Sequence, residues 1–126
     1  MKQIVKTAEK IMNETREYTG WDLVGAVKGN SCIIRADLGK QMKVFMEIKG
    51  ADALIQVIGL GGKFDDKSIE TVREKLEFSV ETLIEDDDSL TLSCHEPLGV
   101  LEHSVKGVLK ECIMPMVDLV KEMITF

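Results

Sequence analysis

Long apolar runs are missing from this sequence, so nothing in it is expected to span a bilayer. The first residues, Met1-Lys2-Gln3, lead into an amphipathic stretch interrupted by Lys6, Glu9 and Lys10, which does not match the apolar core of a secretory signal. Positive charge is in deficit. Lys and Arg total 16 against 22 Asp and Glu, a formal net charge of -6, and a field of that sign repels phosphate backbones and anionic lipid. Cysteine is sparse and odd in number, with Cys32, Cys94 and Cys112 far apart, which suits reduced thiols in a cytoplasmic protein rather than a disulfide framework. Only two prolines occur, and no low-complexity tract, internal repeat or linker interrupts the chain. What is present is ordinary globular material, 44% hydrophobic and 30% charged, too apolar for disorder. A length of 126 residues suits one domain spanning 1–126. A chain of that size buries roughly two-thirds of its unfolded surface and needs no staples.

Periodicity divides the chain into elements. Ile4, Ala8, Ile11 and Thr15 share a stripe over Lys2 to Thr19, ended by Gly20, which predicts a helix. From Trp21 the period changes to two. Leu23 to Val27, Cys32 to Ala36 and Met42 to Ile48 alternate, with turns at Gly29-Asn30 and Leu38-Gly39-Lys40. After a turn at Gly50-Ala51-Asp52, the apolar run Ala53 to Ile58 fits a more deeply buried strand. Such short turns require antiparallel neighbours, so these strands form a meander. Asp65, Asp66 and Ser68 are helix-start residues, and a helix is predicted from about Asp66 to Leu76. Phe78 to Glu85 and Ser89 to Cys94 alternate on either side of Asp86-Asp87-Asp88, and Pro97 ends the second strand. A terminal helix follows from Val100 to Ile124, with a kink or break expected at Pro115, whose ring clashes with the carbonyl four residues back. The fold class is therefore α+β: an antiparallel meander sheet covered by N-terminal, middle and C-terminal helices, in the order α-β-β-β-β-α-β-β-α.

Residues able to carry chemistry are scattered. Cys94-His95-Glu96 is the densest cluster, but neighbours on a strand point to opposite faces, so Cys94 reads as core and His95-Glu96 as a solvated strand end. His103 and Cys112 lie nine residues apart, half a turn out of phase on a helix. No zinc-type spacing occurs, so neither a metal nor a cofactor is expected. Gly59-Leu60-Gly61-Gly62-Lys63 does not match a phosphate-binding loop, and Asp65 and Asp66 would repel an anion there. Glu85 to Asp88 lacks the spaced ligands of a calcium loop and reads as a polar hairpin tip.

The terminal helix carries a different signal. Leu101, Val105, Val108, Cys112, Met116, Leu119 and Met123 form the stripe that suits the sheet. Ile113, Val117, Val120 and Ile124 lie beside it, and Met114 falls on the polar side unless Pro115 resets the phase. The apolar sector is wider than one packing face needs. Either it packs on the first helix, or Ile113, Met114, Val117, Val120 and Ile124 meet another chain. Seven methionines against six aromatics also fit an adaptable contact surface.

From Asp65 to Leu98 the chain presents a helix, the strand Phe78 to Glu85, an acidic tip, and Ser89-Leu90-Thr91-Leu92-Ser93-Cys94-His95-Glu96-Pro97-Leu98 leading into the last helix. In this arrangement it resembles the type III secretion chaperone-like superfamily, and within it the YbjN-like branch. That resemblance implies a two-layer, commonly dimeric domain that binds protein and performs no chemistry, in a chaperone-like or regulatory role. Four strands before the middle helix are one more than the secretion chaperones lead one to expect. The expectation is thus a non-enzymatic, homodimeric protein-binding module in the cytoplasm, contacting neither nucleic acid nor membrane. The alternatives are a small enzyme or metal-binding domain using Cys94, His95 or Cys112, and a roadblock- or longin-like scaffold.

Overall fold

The computed structural model describes residues 2–124, the side chain of Lys2 excepted. Helix α1 (Lys2–Thr19) precedes strands β1 (Leu23–Lys28), β2 (Ser31–Asp37), β3 (Met42–Lys49) and β4 (Asp52–Leu60). Helix α2 (Asp66–Lys75) then leads to β5 (Glu81–Glu85) and β6 (Ser89–Pro97). The six strands form one antiparallel sheet in the order β1-β2-β3-β4-β6-β5. The four-strand meander and the α+β order are as the periodicity predicts. Crossing from β4 through α2 carries the chain past the place that β6 later fills, leaving β5 at the edge.

Strand parity sorts the side chains. Leu23, Cys32, Ile34, Ala36, Met42, Val44, Met46, Ile48, Ala53, Ile55, Val57, Leu90, Leu92 and Cys94 lie on one face and are buried. The helices gather on that side, with α1 over β1 and β2, and α2 held against the C-terminal helical segment. Helix α2 starts on a capping box: Asp65 Oδ1 accepts from the amides of Lys67 and Ser68, and the Ser68 hydroxyl accepts from the Asp65 amide. The strand expected from Phe78 begins only at Glu81. Its ladder with β6 runs from Glu81↔Ser93 to Glu85↔Ser89. Leu76, Phe78 and Val80 alternate because they pack against the core while the chain climbs from α2 to the sheet edge.

The C-terminal segment departs further from its helical-wheel reading. It is divided into α3 (Leu98–His103), α4 (Val105–Val108), a π-helical turn (Leu109–Ile113) and α5 (Met114–Ile124). Ser104, at φ -145 and ψ 72, separates the first two. In the π turn the Met114 amide donates to the Leu109 carbonyl, five residues back. One additional residue in a turn rotates everything after it by about 100° relative to an unbroken α-helix. The break expected at Pro115 is thus taken up just ahead of it, and Pro115 sits in the first turn of α5, where a missing N–H costs least.

Burial corrects the assignment of contact residues. Ile113, Val117 and Val120 are 0% exposed, and Met114 and Ile124 are half-buried against the same core. Helix α5 lies between β4 and α2, so two neighbours within the chain cover the wide apolar sector. The five residues expected to meet another chain are interior or flank the interior, and α1 packs on α3 and α4 instead of on α5. Gly59 of β4 makes the seat for α5. A Cβ there would stand 2.7 Å from Val120 Cγ1 and 3.2 Å from Ile124 Cδ1. Gly59→Ala should therefore destabilise the fold by about 1–3 kcal/mol through overpacking. Urea unfolding should show a lower midpoint at unchanged slope.

Candidate functional site

Two features of this architecture leave chemistry or apolar surface within reach of other molecules. The first lies where β6 meets the C-terminal helical segment. Strand parity sends Cys94 toward the helices, opposite Ile55 of β4. The π turn sends Cys112 down to meet it. Their sulfurs stand 3.1 Å apart, each residue buried at 7% and 6% exposure. Beyond Ser93 the β5 ladder has ended, so Cys94 borders an open cleft of about 300 Å³ lined by Ser79, Val80, Glu81, Ser93 and His95. On the other side Cys112 borders a cavity of about 290 Å³ with Phe78, Glu96, Ser104, Gly107 and Glu111.

The electrostatics of the pair are asymmetric. Either thiol can donate across this contact; once Cys94 is a thiolate the Cys112 S–H donates to it, which draws Cys94 below its ordinary range despite burial and the nearby Glu96 carboxylate. The same bond, reinforced by burial, pushes Cys112 up. Cys32 lies elsewhere, 1% exposed on β2, and burial raises it as well. Among the described residues, no group of three or more His, Cys, Asp or Glu is placed to hold a metal ion.

His95 projects to the opposite face, as strand parity predicts, and its Nδ1 stands 2.7 Å from Asp52 Oδ2 of β4. His103 is exposed on α3 while Cys112 is buried. The acidic hairpin tip is structural. The Gly61 amide donates to the Asp88 carbonyl and the Phe64 amide to the Asp87 carbonyl, with Asp86 and Asp87 at φ 53 and 62. Aspartate tolerates that left-handed region better than most residues.

Comparison of the chain with protein-family models, with curated proteins and with solved structures finds no match. Function must be argued from geometry.

The second feature is the outer face of the sheet, which receives no helix among the described residues. Cross-strand neighbours place Val24, Arg35, Phe45 and Gln56 in one row, and Ala26, Ile33, Glu47 and Leu54 in the next. Ile58 lies diagonally from Phe45 on the other side, so Ile33, Leu54 and Ile58 are its diagonal neighbours, and Val24 lies beyond Arg35 in the same row. Val24 is 57% exposed, Ile33 39% and Leu83 55%. Charge is divided across this face. Lys28, Arg35, Lys43 and Lys49 outnumber Asp37 and Glu47 on β1 to β3, whereas β4, β5 and β6 present Asp52, Glu81 and Glu85 without Lys or Arg.

Sequence reasoning missed both features, although each left a trace. Cys94 and Cys112 each fall on a core-facing stripe, and only the turn into α3 brings the stripes together. The run Ala53 to Ile58 reads as buried on both sides, and the outward Leu54 and Ile58 are the part that lacks a cover. Alkylation by iodoacetamide across a pH series checks the thiol asymmetry. One cysteine should react with a midpoint below that of a free thiol, because the form stabilised by the Cys112 donor is the thiolate. Glu96 and Glu111 line the cavity beside Cys112, and Glu81 and His95 line the cleft beside Cys94. Cys112→Ala, which deletes the donor, should move that midpoint upward.

Proposed function

We propose that the chain is a non-enzymatic, cytoplasmic protein-binding module of chaperone-like or regulatory kind, working as a homodimer joined through the outer face of its sheet. The observation that carries this reading is the apolar surface of Val24, Ile33 and Leu83, with half-buried Phe45, Leu54 and Ile58 among them, on the sheet face that carries no helix among the described residues. A broad, nearly flat surface of alternating apolar and charged side chains suits a macromolecular partner better than a small ligand, which concave sites favour. The resemblance to secretion chaperone-like proteins, commonly dimeric, points the same way.

A second copy fits the charge pattern. A two-fold axis running along the strands lays the β1–β3 half of one face on the β4–β6–β5 half of its mate. The surplus of Lys and Arg at one end then meets Asp52, Glu81 and Glu85 at the other, twice over, with both Phe45 clusters between them. The β5 edge is a poorer candidate: the strand is five residues long and carries a glutamate at each end, features that discourage strand addition.

Light scattering over a concentration series checks this. The wild-type chain should weigh two copies, and Phe45→Lys and Ile33→Asp, both on the outer face, should each weigh one while keeping native circular dichroism. A wild-type chain that stays single at every concentration would remove the dimer. Dimers that survive both substitutions would place the interface elsewhere.

A further inference from the structure

We propose that Cys94 and Cys112 form a peroxide-responsive dithiol, oxidised to an intramolecular disulfide by a small hydroperoxide that enters through the cleft beside Cys94. The inference goes beyond the dimeric module and is independent of it. It rests on the placement of the two sulfurs. At 3.1 Å they are about 1 Å beyond the covalent S–S length. Small side-chain rotations, and a slight settling of the π turn that carries Cys112, cover that distance. Single π turns inside α-helices recur at functional sites, and Cys112 lies within one here. Cys94 also has an approach. The cleft of about 300 Å³ between the β5 entry and β6 is wide enough for a hydroperoxide.

The chemistry balances in two steps. The Cys94 thiolate attacks one oxygen of the hydroperoxide, the O–O bond breaks as the S–O bond forms, and the other oxygen leaves as an alcohol, or as water from hydrogen peroxide, after taking up a proton. Sulfur has lost two electrons and the peroxide has gained them. The Cys112 sulfur then attacks the sulfur of the Cys94 sulfenic acid, the S–S bond forms, and hydroxide leaves to combine with the Cys112 proton as water. The hydrogen bond from Cys112 prepares the first step, since it favours the thiolate at Cys94, the residue of the pair that lines the cleft. It prepares the second by holding the resolving thiol in contact, so ring closure outruns a second peroxide. Cys32, on β2 beneath the helices, stands outside this sequence. A thiol reductant returns the pair to its starting state by exchange.

The product ties β6 to the π turn, fixing from both ends the walls of the cavity that holds Glu96, Ser104 and Glu111. The experiment treats the full reduced chain with hydrogen peroxide, blocks remaining thiols with N-ethylmaleimide under denaturing conditions, and maps the products by mass spectrometry. The expected result is loss of two of the three blockable thiols, a Cys94–Cys112 cross-linked peptide within one chain, and full recovery after dithiothreitol. In Cys112→Ser the reaction should halt at a Cys94 sulfenic acid that dimedone traps, whereas Cys32→Ser should behave as wild type. Three thiols surviving peroxide, a link involving Cys32, a link only between chains, or direct passage of Cys94 to sulfinic acid in the wild type would each overturn the proposal.

Discussion

The seating of α5 on β4 is the contact on which the rest of the molecule depends. Val120 is fully enclosed there because Gly59 opens a place for it and for Ile124, and α2 packs on the other side of the helix. With that helix in position one face of the sheet is occupied, and every strand must send its alternate residues to the other face. The half-buried cluster around Phe45 is therefore the remainder of the same pattern. A sheet covered on one side only, whose central strand is apolar on both sides, has surplus area on its open side.

The same contact explains the geometry at the two thiols. For α5 to present Val117 and Val120 to the sheet while α4 presents Val105 and Val108, the intervening helix must change phase. The π turn supplies the change, and Cys112 lies inside it. Its meeting with Cys94 thus follows from a packing requirement on residues some distance away. The pair is held from two elements, a strand and a helical turn, so neither sulfur can withdraw without disturbing buried neighbours.

Most of the architecture is legible in the amino-acid order. The turns at Gly29-Asn30 and Leu38-Gly39-Lys40, the strict alternation from Met42 to Ile48, and the cap at Asp65 to Ser68 are local signals, and the structure places elements where they indicate. The opposite faces of Cys94 and His95 are likewise read from strand parity alone. What the order does not announce depends on contacts between distant segments. A helical wheel gives the width of an apolar sector but not its neighbours, and here β4 and α2 together cover Ile113, Val117 and Val120. Phe78 and Val80 alternate like a strand, yet the ladder with β6 ends at Glu81↔Ser93. The approach of two sulfurs 18 residues apart needs the direction of the turn after Pro97, which no local pattern encodes.

The clasp between the Asp86–Asp88 tip and the segment entering α2 has a consequence for how the chain assembles. Gly61 and Phe64, which open the crossover, are tied to carbonyls of the very hairpin to which that crossover delivers the chain. The path is a closed circuit: its entrance is fastened only once its exit has been built. The meander from β1 to β4 can organise from neighbouring contacts, but the far half of the sheet has to arrive as a unit, and joining β6 to β4 is the long-range step that sets its pace.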